Sequence, residues 1–263
     1  MKLSSEELRF FKENGFLIKR GVLDKVLMAR ARERFWDYTP DRFSRYRPSS
    51  WVGPIPPEEE EEKTAAEPNE SRGFRLHYRT IGSESWMVRL LAKDPTIWNM
   101  AEQMLGAGQL VDPKGIRGIY STLPSGDHSV PPTTCHTDAH PFHLGIVGYI
   151  DDVSPGGGGF AVWAGSHKRF YYTFTSQYCN EPTEEHAALR EYYNGQQPVD
   201  CYGKAGDIVF WHHRLAHTGP PNTTWRIRRA VLYEFAKRDI EKTQVEPPQK
   251  NMWRDWSPEF GQV

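Results

Sequence analysis

The stretch Lys204-Ala205-Gly206-Asp207-Ile208-Val209-Phe210-Trp211-His212-His213-Arg214-Leu215-Ala216-His217 does most to fix the fold class. A Gly-Asp turn signal opens it. Ile208 to Trp211 is a short apolar run of β-branched and aromatic residues, a strong strand, and a histidine follows its end. From about residue 108 onward the same texture recurs. Short β-rich runs at 115–123, 143–150, 158–163, 171–175, 207–212 and 228–236 alternate with Gly/Pro turns. One helix interrupts them, over 183–194. Many short strands between turns predict a β-sandwich or jelly roll.

The first third reads differently. Ser4 and Glu7 form a capping box, with Leu3 and Leu8 at the staple positions, so a helix is expected over residues 4 to about 14, ended by Gly15. Phe16-Leu17-Ile18 reads as a short strand. Leu23, Leu27, Ala31 and Phe35 recur every four residues and predict a second helix from Leu23 to about Trp36, with Val26 on its apolar side. Residues 48–72 read as a long loop, whose Glu58–Glu62 run is an acidic surface or, alternatively, a lid. Helices are expected over Ser85–Leu91 and Thr96–Met104. The chain is read as one domain over 1–263, a helical part of about 1–107 packed on a β-core of about 108–240.

Charge and composition exclude several classes. A net charge of −1 gives no electrostatic footprint for nucleic acid or an anionic membrane. Three cysteines are too few and too scattered for a disulfide framework or zinc knuckle; Cys135 reads as a small buried thiol. No run is long enough to span a membrane, and Met1–Glu7 lacks a signal-type apolar core, so a cytoplasmic location is expected. Oligomeric state is not readable.

The chemistry centres on Cys135-His136-Thr137-Asp138. In a strand, side chains two residues apart point the same way, so His136 and Asp138 can offer two ligands to one metal. A third ligand must come from another strand, and His217 follows a strong one. Two imidazoles and a carboxylate on one face of a metal leave the other face open, which suits non-haem iron(II). The His-x-Asp pair alone is a weak signal. His140, His143, His212 and His213 compete for the same role on spacing. Downstream, Trp225–Tyr233 reads as a strand carrying Arg226 and Arg228 on one face, able to grip a carboxylate through two parallel hydrogen bonds or to stand as edge-strand charges. Arg75, His77 and Arg79 alternate on a possible strand and read as surface charge, the alternative being reception of an anionic substrate.

Four ordered blocks then carry a resemblance to the phytanoyl-CoA dioxygenase-like iron(II)/2-oxoglutarate oxygenases. They are the opening Leu3–Phe11 with Asn14-Gly15-Phe16 and Gly21-Val22-Leu23; His136-Thr137-Asp138; Asp151–Ser154 with Gly156–Gly159 and Ala164-Gly165-Ser166-His167-Lys168; and Lys204–Phe210 with His217, Asn222 and Arg228. The resemblance implies a mainly β fold with flanking α-helices and a double-stranded β-helix (jelly roll, cupin-like) core. It implies His136, Asp138 and His217 as iron(II) ligands. Arg228, eleven residues beyond His217, becomes the partner of the 2-oxoglutarate distal carboxylate, with Arg226 as runner-up. Thr133 and Tyr120 are further co-substrate candidates. His140, Phe142, Trp163 and Trp211 are candidates for the pocket around a small-molecule substrate, each equally readable as core. His167 reads as structural and Gly156–Gly159 as a tight hairpin turn. Thr218-Gly219-Pro220 departs from the family's usual Gly-Ser-Gly, so a hydroxyl near the co-substrate is missing or displaced. The implied activity is dioxygenation with 2-oxoglutarate and O2 as co-substrates, releasing succinate and CO2. Asp138 favours hydroxylation, or another oxidation such as desaturation, over halogenation, because related halogenases carry a small residue in its place. The alternatives are a cupin-like metal enzyme that does not use 2-oxoglutarate and a catalytically silent binding module.

Overall fold

A computed structural model describes residues 2–56, 69–130 and 132–263. Ten strands form two antiparallel sheets. The larger has the order β1 (Phe16–Lys19), β8 (Ile208–His212), β5 (Leu144–Tyr149), β10 (Arg228–Phe235), β4 (Ile119–Thr122), β3 (Arg75–Tyr78) and β2 (Asn69–Arg72). The smaller has the order β7 (Val199–Asp200), β6 (Ala161–Val162) and β9 (His217–Thr218). Together they make the double-stranded β-helix that the strand pattern and the resemblance anticipated.

Alternation along the strands explains the layering. Val147, Tyr149, Val209, Trp211 and Ala230 point inward and pack with Phe160, Val162 and Cys201 from the smaller sheet's side. Ile146, Ile208, Phe210, Val231 and Phe235 point outward into a second core made with the helices. The central strands β5 and β8 are therefore buried at every position, which is why Ile208–Trp211 is a continuous apolar run rather than an alternating one.

The helices covering the outer face are α1 (Ser5–Asn14), α2 (Lys25–Trp36), α3 (Ser85–Leu90) and α4 (Pro95–Leu105). The Ser4–Glu7 capping box closes α1 at its start, and Gly15, at φ 77°, ends it in the left-handed conformation. Three shorter helices, α5 (His167–Phe170), α7 (Ile240–Thr243) and α8 (Pro258–Gly261), accompany the interposed α6 (Glu185–Asn194). No helix among the described residues is long and apolar enough to cross a membrane.

Several expectations need correction. Of the expected stripe Leu23, Ala31 and Phe35 are buried, joined by Met28, while Leu27 is half-buried and Val26, expected on the apolar side, stands 75% exposed. The 171–175 run is not a strand. Tyr171–Thr173 is a 3-10 turn, held by Thr173 Oγ1 donating to the Phe170 carbonyl, a local bond that defeats strand propensity. The loop expected over 48–72 contains a 3-10 turn at Pro48–Trp51 and ends in β2. A two-residue Gly73-Phe74 turn, with Gly73 at φ 52°, joins β2 to β3. The Glu58–Glu62 run lies outside the described residues. Three strands of the large sheet come from the first third, so a division near 107 does not separate helix from strand.

Gly145 sits beneath the inward Trp211. A Cβ there would lie 2.1 Å from the indole Cε2. Gly145→Ala should therefore destabilise the protein by about 1–3 kcal/mol through overpacking. Chemical denaturation checks this, and an unchanged midpoint would refute the contact.

Candidate metal centre

An isolated antiparallel bridge joins the segment before β5 to β9. The His136 N–H donates to the His217 carbonyl at 3.1 Å, and the His217 N–H donates back to the His136 carbonyl at 2.9 Å. Directly opposed residues share a face. The two imidazoles meet with ring centroids 4.4 Å apart. Asp138, two residues on from His136, falls on the same side, its Oδ2 3.4 Å from His217 Nε2. One ligand atom from each of the three residues lies within 4.8 Å of the others, the one such group of three metal-binding side chains among the described residues.

The surroundings prepare these atoms for a cation. His217 Nδ1 lies 2.9 Å from the Leu215 carbonyl, which can only accept, so Nδ1 donates there and Nε2 is the nitrogen that faces the cluster. Burial, with His217 beside it, pushes His136 down to about 4, so its imidazole is neutral at physiological pH. Burial works against the charge of Asp138, but the His217 and His136 imidazoles and the Trp211 indole outweigh it and hold its pKa below the ordinary carboxylate value. Trp211 Nε1 donates to Asp138 Oδ2 at 3.1 Å and fixes the carboxylate's orientation. Two imidazoles and a carboxylate whose charge is favoured, one imidazole and the carboxylate each held by a hydrogen bond, are a donor set that suits a divalent transition metal.

The three side chains open on a cavity of about 250 Å³. Val147, Phe160, Trp211 and Leu232 form its apolar floor, and Arg75, His77, Arg79, Arg117, Tyr120, Thr122, Gly219 and Arg228 complete the wall. Arg228, first residue of β10, donates through Nε to the Gly158 carbonyl (2.6 Å), through Nη1 to the Tyr120 carbonyl (3.1 Å) and through Nη2 to Thr122 Oγ1 (2.9 Å). These bonds use three of its five donors and all reach neutral acceptors. Burial draws its pKa down to about 10, which leaves it cationic. Among the described residues no carboxylate pairs with it.

The remaining candidates separate by position. Tyr120 lines the cavity, its ring stacked on His77 at 4.0 Å and its buried hydroxyl without a hydrogen-bond partner. Thr133 lines a neighbouring cavity of about 540 Å³ that shares Arg75, Thr122 and Gly219 with the first. His140 lies outside the wall, Nε2 3.7 Å from Glu234, which also accepts from Arg117 at 2.8 Å. Trp163 does not reach the cavity. It follows the inward Val162, so alternation turns it outward, where it packs with Cys135, Phe170 and Leu189 and donates to the Gln196 carbonyl. Phe142 is core beside Trp211 and His213. Arg226 precedes β10 and lies over the exposed Trp225 instead of sharing a strand face with Arg228. The competing His143, His212 and His213 are buried outside the triad, as is His167, whose Nε2 meets the Lys12 carbonyl. The Gly156–Gly159 run supplies the carbonyl that holds Arg228. Arg75, His77 and Arg79, read as surface charge, line the wall. Their i, i+2 spacing was the available signal; Arg117 left none.

Compared with known proteins, the phytanoyl-CoA dioxygenase family matches residues 11–230. No curated protein sequence matches. Solved structures share the fold at low identity. The non-haem alpha-ketoglutarate-dependent carbocyclase SnoK from nogalamycin biosynthesis is 19% identical over 95% of both chains, with a TM-score of 0.58. EctD from S. alaskensis with bound Fe is 17% identical over 94% of this chain and 80% of its own, with a TM-score of 0.58. HygX from Streptomyces hygroscopicus, solved with nickel, 2-oxoglutarate and hygromycin B, is 14% identical over 90% of this chain and 88% of its own, with a TM-score of 0.54.

Two outcomes follow from the site's surroundings. Trp211→Phe removes the donor that orients Asp138 and should weaken manganese(II) binding about tenfold or more by calorimetric titration; equal affinity would dismiss the role of the indole. Burial holds His143 at about 3 and His167 at about 4, and holds His212 and His213 well below the ordinary value. Their folded pKa values lie under the unfolded one, so stability is full above about pH 6.5 and falls as the pH drops towards 4, each histidine adding a slope of about 1.4 kcal/mol per pH unit. Thermal melts at pH 7.5, 6 and 5 should show a steep loss, and a flat profile would contradict neutral burial.

Proposed function

Because the chain belongs to the phytanoyl-CoA dioxygenase family, we propose that it is an iron(II)- and 2-oxoglutarate-dependent dioxygenase, a single oxygenase domain that hydroxylates a C–H bond of a small molecule. The observation that carries this reading is the pairing of two features in one cavity: the His136, Asp138 and His217 cluster, and Arg228, a half-buried cation that no carboxylate pairs with among the described residues. Metal-only chemistry has no use for the second. A dicarboxylate that chelates the metal at one end needs it at the other.

Bound iron(II) and 2-oxoglutarate would supply oxygen activation, with succinate and CO2 as co-products. The chain's own residues bind and orient. His136, Asp138 and His217 would hold the metal on one face. Trp211 and the Leu215 carbonyl keep two of those ligands in a fixed direction. Arg228 keeps two N–H donors for the distal carboxylate while Gly158, Tyr120 and Thr122 pin its other three. Val147, Phe160 and Leu232 keep the floor apolar and limit water there. A carboxylate at 138 fills the position a halide would need, which favours oxygen insertion, or desaturation, over halogenation.

Anaerobic addition of iron(II) and 2-oxoglutarate should produce a visible metal-to-ligand charge-transfer band. Arg228→Ala should weaken 2-oxoglutarate binding about 10- to 100-fold, with Arg228→Lys intermediate and metal affinity retained. No band with metal bound would defeat the proposal, and unchanged co-substrate affinity would remove Arg228 from it.

A further inference from the structure

The metal cavity adjoins a larger one. The second, of about 540 Å³, is bounded by neutral side chains such as Phe74, Pro132, Thr134 and Pro221. Arg75 is the one charged residue in its described lining, and it lines the metal cavity as well. Its Nη2 donates to the Gly219 carbonyl at 2.8 Å, and no carboxylate pairs with it among the described residues. A side-chain carbon built on Gly219 would lie 3.5 Å from Arg228 Nη2 and 3.8 Å from Arg75 Nη2, so both guanidinium groups flank one point.

Arg228 is half-buried and Arg75 reaches solvent, and an anion between the two guanidinium groups would offset their repulsion. Iron(II) carries two positive charges and Arg228 one; Asp138 carries one negative charge and 2-oxoglutarate two. These cancel, and Arg117 is paired with Glu234, so of the two guanidinium groups beside Gly219 Arg75 receives no anion from the co-substrate. The volume agrees. A five-carbon dicarboxylate on the metal takes up much of the smaller cavity, and the larger one lies within the range of small-molecule sites. A pocket whose described lining is neutral apart from one cation, on the side it shares with the metal cavity, suits an organic molecule with one anionic group.

We infer that the second cavity is the substrate site and that it takes an organic anion, a carboxylate or phosphate ester with an uncharged body, whose charge rests on Arg75. This rests on the dioxygenase reading above.

The test uses the protein loaded with manganese(II) and saturating 2-oxoglutarate without oxygen. Calorimetry compares benzoate, phenyl phosphate and the neutral benzamide. At least one anion should bind about tenfold or more tightly than benzamide, and which one separates carboxylate from phosphate. Arg75→Ala should abolish that preference and leave 2-oxoglutarate affinity and the melting temperature unchanged; Arg75→Lys should restore part of the preference. Anions binding no better than benzamide would overturn the inference. So would an Arg75→Ala protein that loses 2-oxoglutarate as Arg228→Ala does, because Arg75 would then serve the co-substrate. If the metal-loaded protein takes up no 2-oxoglutarate, the dioxygenase reading fails separately. The same comparison on the metal-free protein, with and without Arg75→Ala, then still decides whether the second cavity selects anions.

Discussion

The reciprocal backbone pairing of His136 with His217 is the constraint on which the site depends. Two hydrogen bonds exchanged between directly opposed residues set the register of a bridge to better than one residue. A slip by one position would turn His136 to the opposite side from His217 and carry Asp138 with it. The bridge therefore does more than bring two histidines near each other. It decides that three side chains from distant parts of the sequence share one face.

That bridge is short and needs support from below. Trp211 provides it, filling the space over Gly145 and donating to Asp138. The indole can occupy that position because β8 is covered on both faces, by helices outside and by the smaller sheet's residues inside. The chain of dependence runs from a glycine with no side chain, through an indole that uses the room, to a carboxylate held at one angle. The helical layer contributes to the site although, among the described residues, none of its helices lines the cavity.

Much of this was legible from residue types. The apolar run Ile208–Trp211, the capping box of α1 and the alternation that pairs His136 with Asp138 are strong local signals, and local physics decides them. What escaped was decided by long-range contacts. Asn69-Glu70-Ser71-Arg72 has no strand propensity, yet it pairs with β3 along its whole length. Arg75, His77 and Arg79 showed the spacing of a strand, but the face they occupy depends on β4, which lies far off in sequence. Trp163 and Trp211 are the same residue type close to the same motifs; only the parity of each position in its strand puts one in the core and the other under the His136, Asp138 and His217 cluster. Val26 differs similarly: Ala31 and Phe35 of its helix face the core as their spacing indicates, but Met28 and not Val26 joins them.

Two arginines show why the cavity, and not burial alone, marks a ligand site. Arg214 is fully buried, and among the described residues no carboxylate pairs with it. It donates to the carbonyls of Ser176, Gln177 and Cys179 and stacks over Phe174 at 3.6 Å, so its charge is spent on one loop. It lines neither of the two cavities. Arg228 likewise meets neutral acceptors, but it has donors to spare and an open volume in front of them. Burying a cation is costly in either place. In the first the cost holds a loop in shape. In the second it leaves a cation with two free donors facing an open volume, opposite the His136, Asp138 and His217 cluster, which is the basis of the co-substrate role proposed for it.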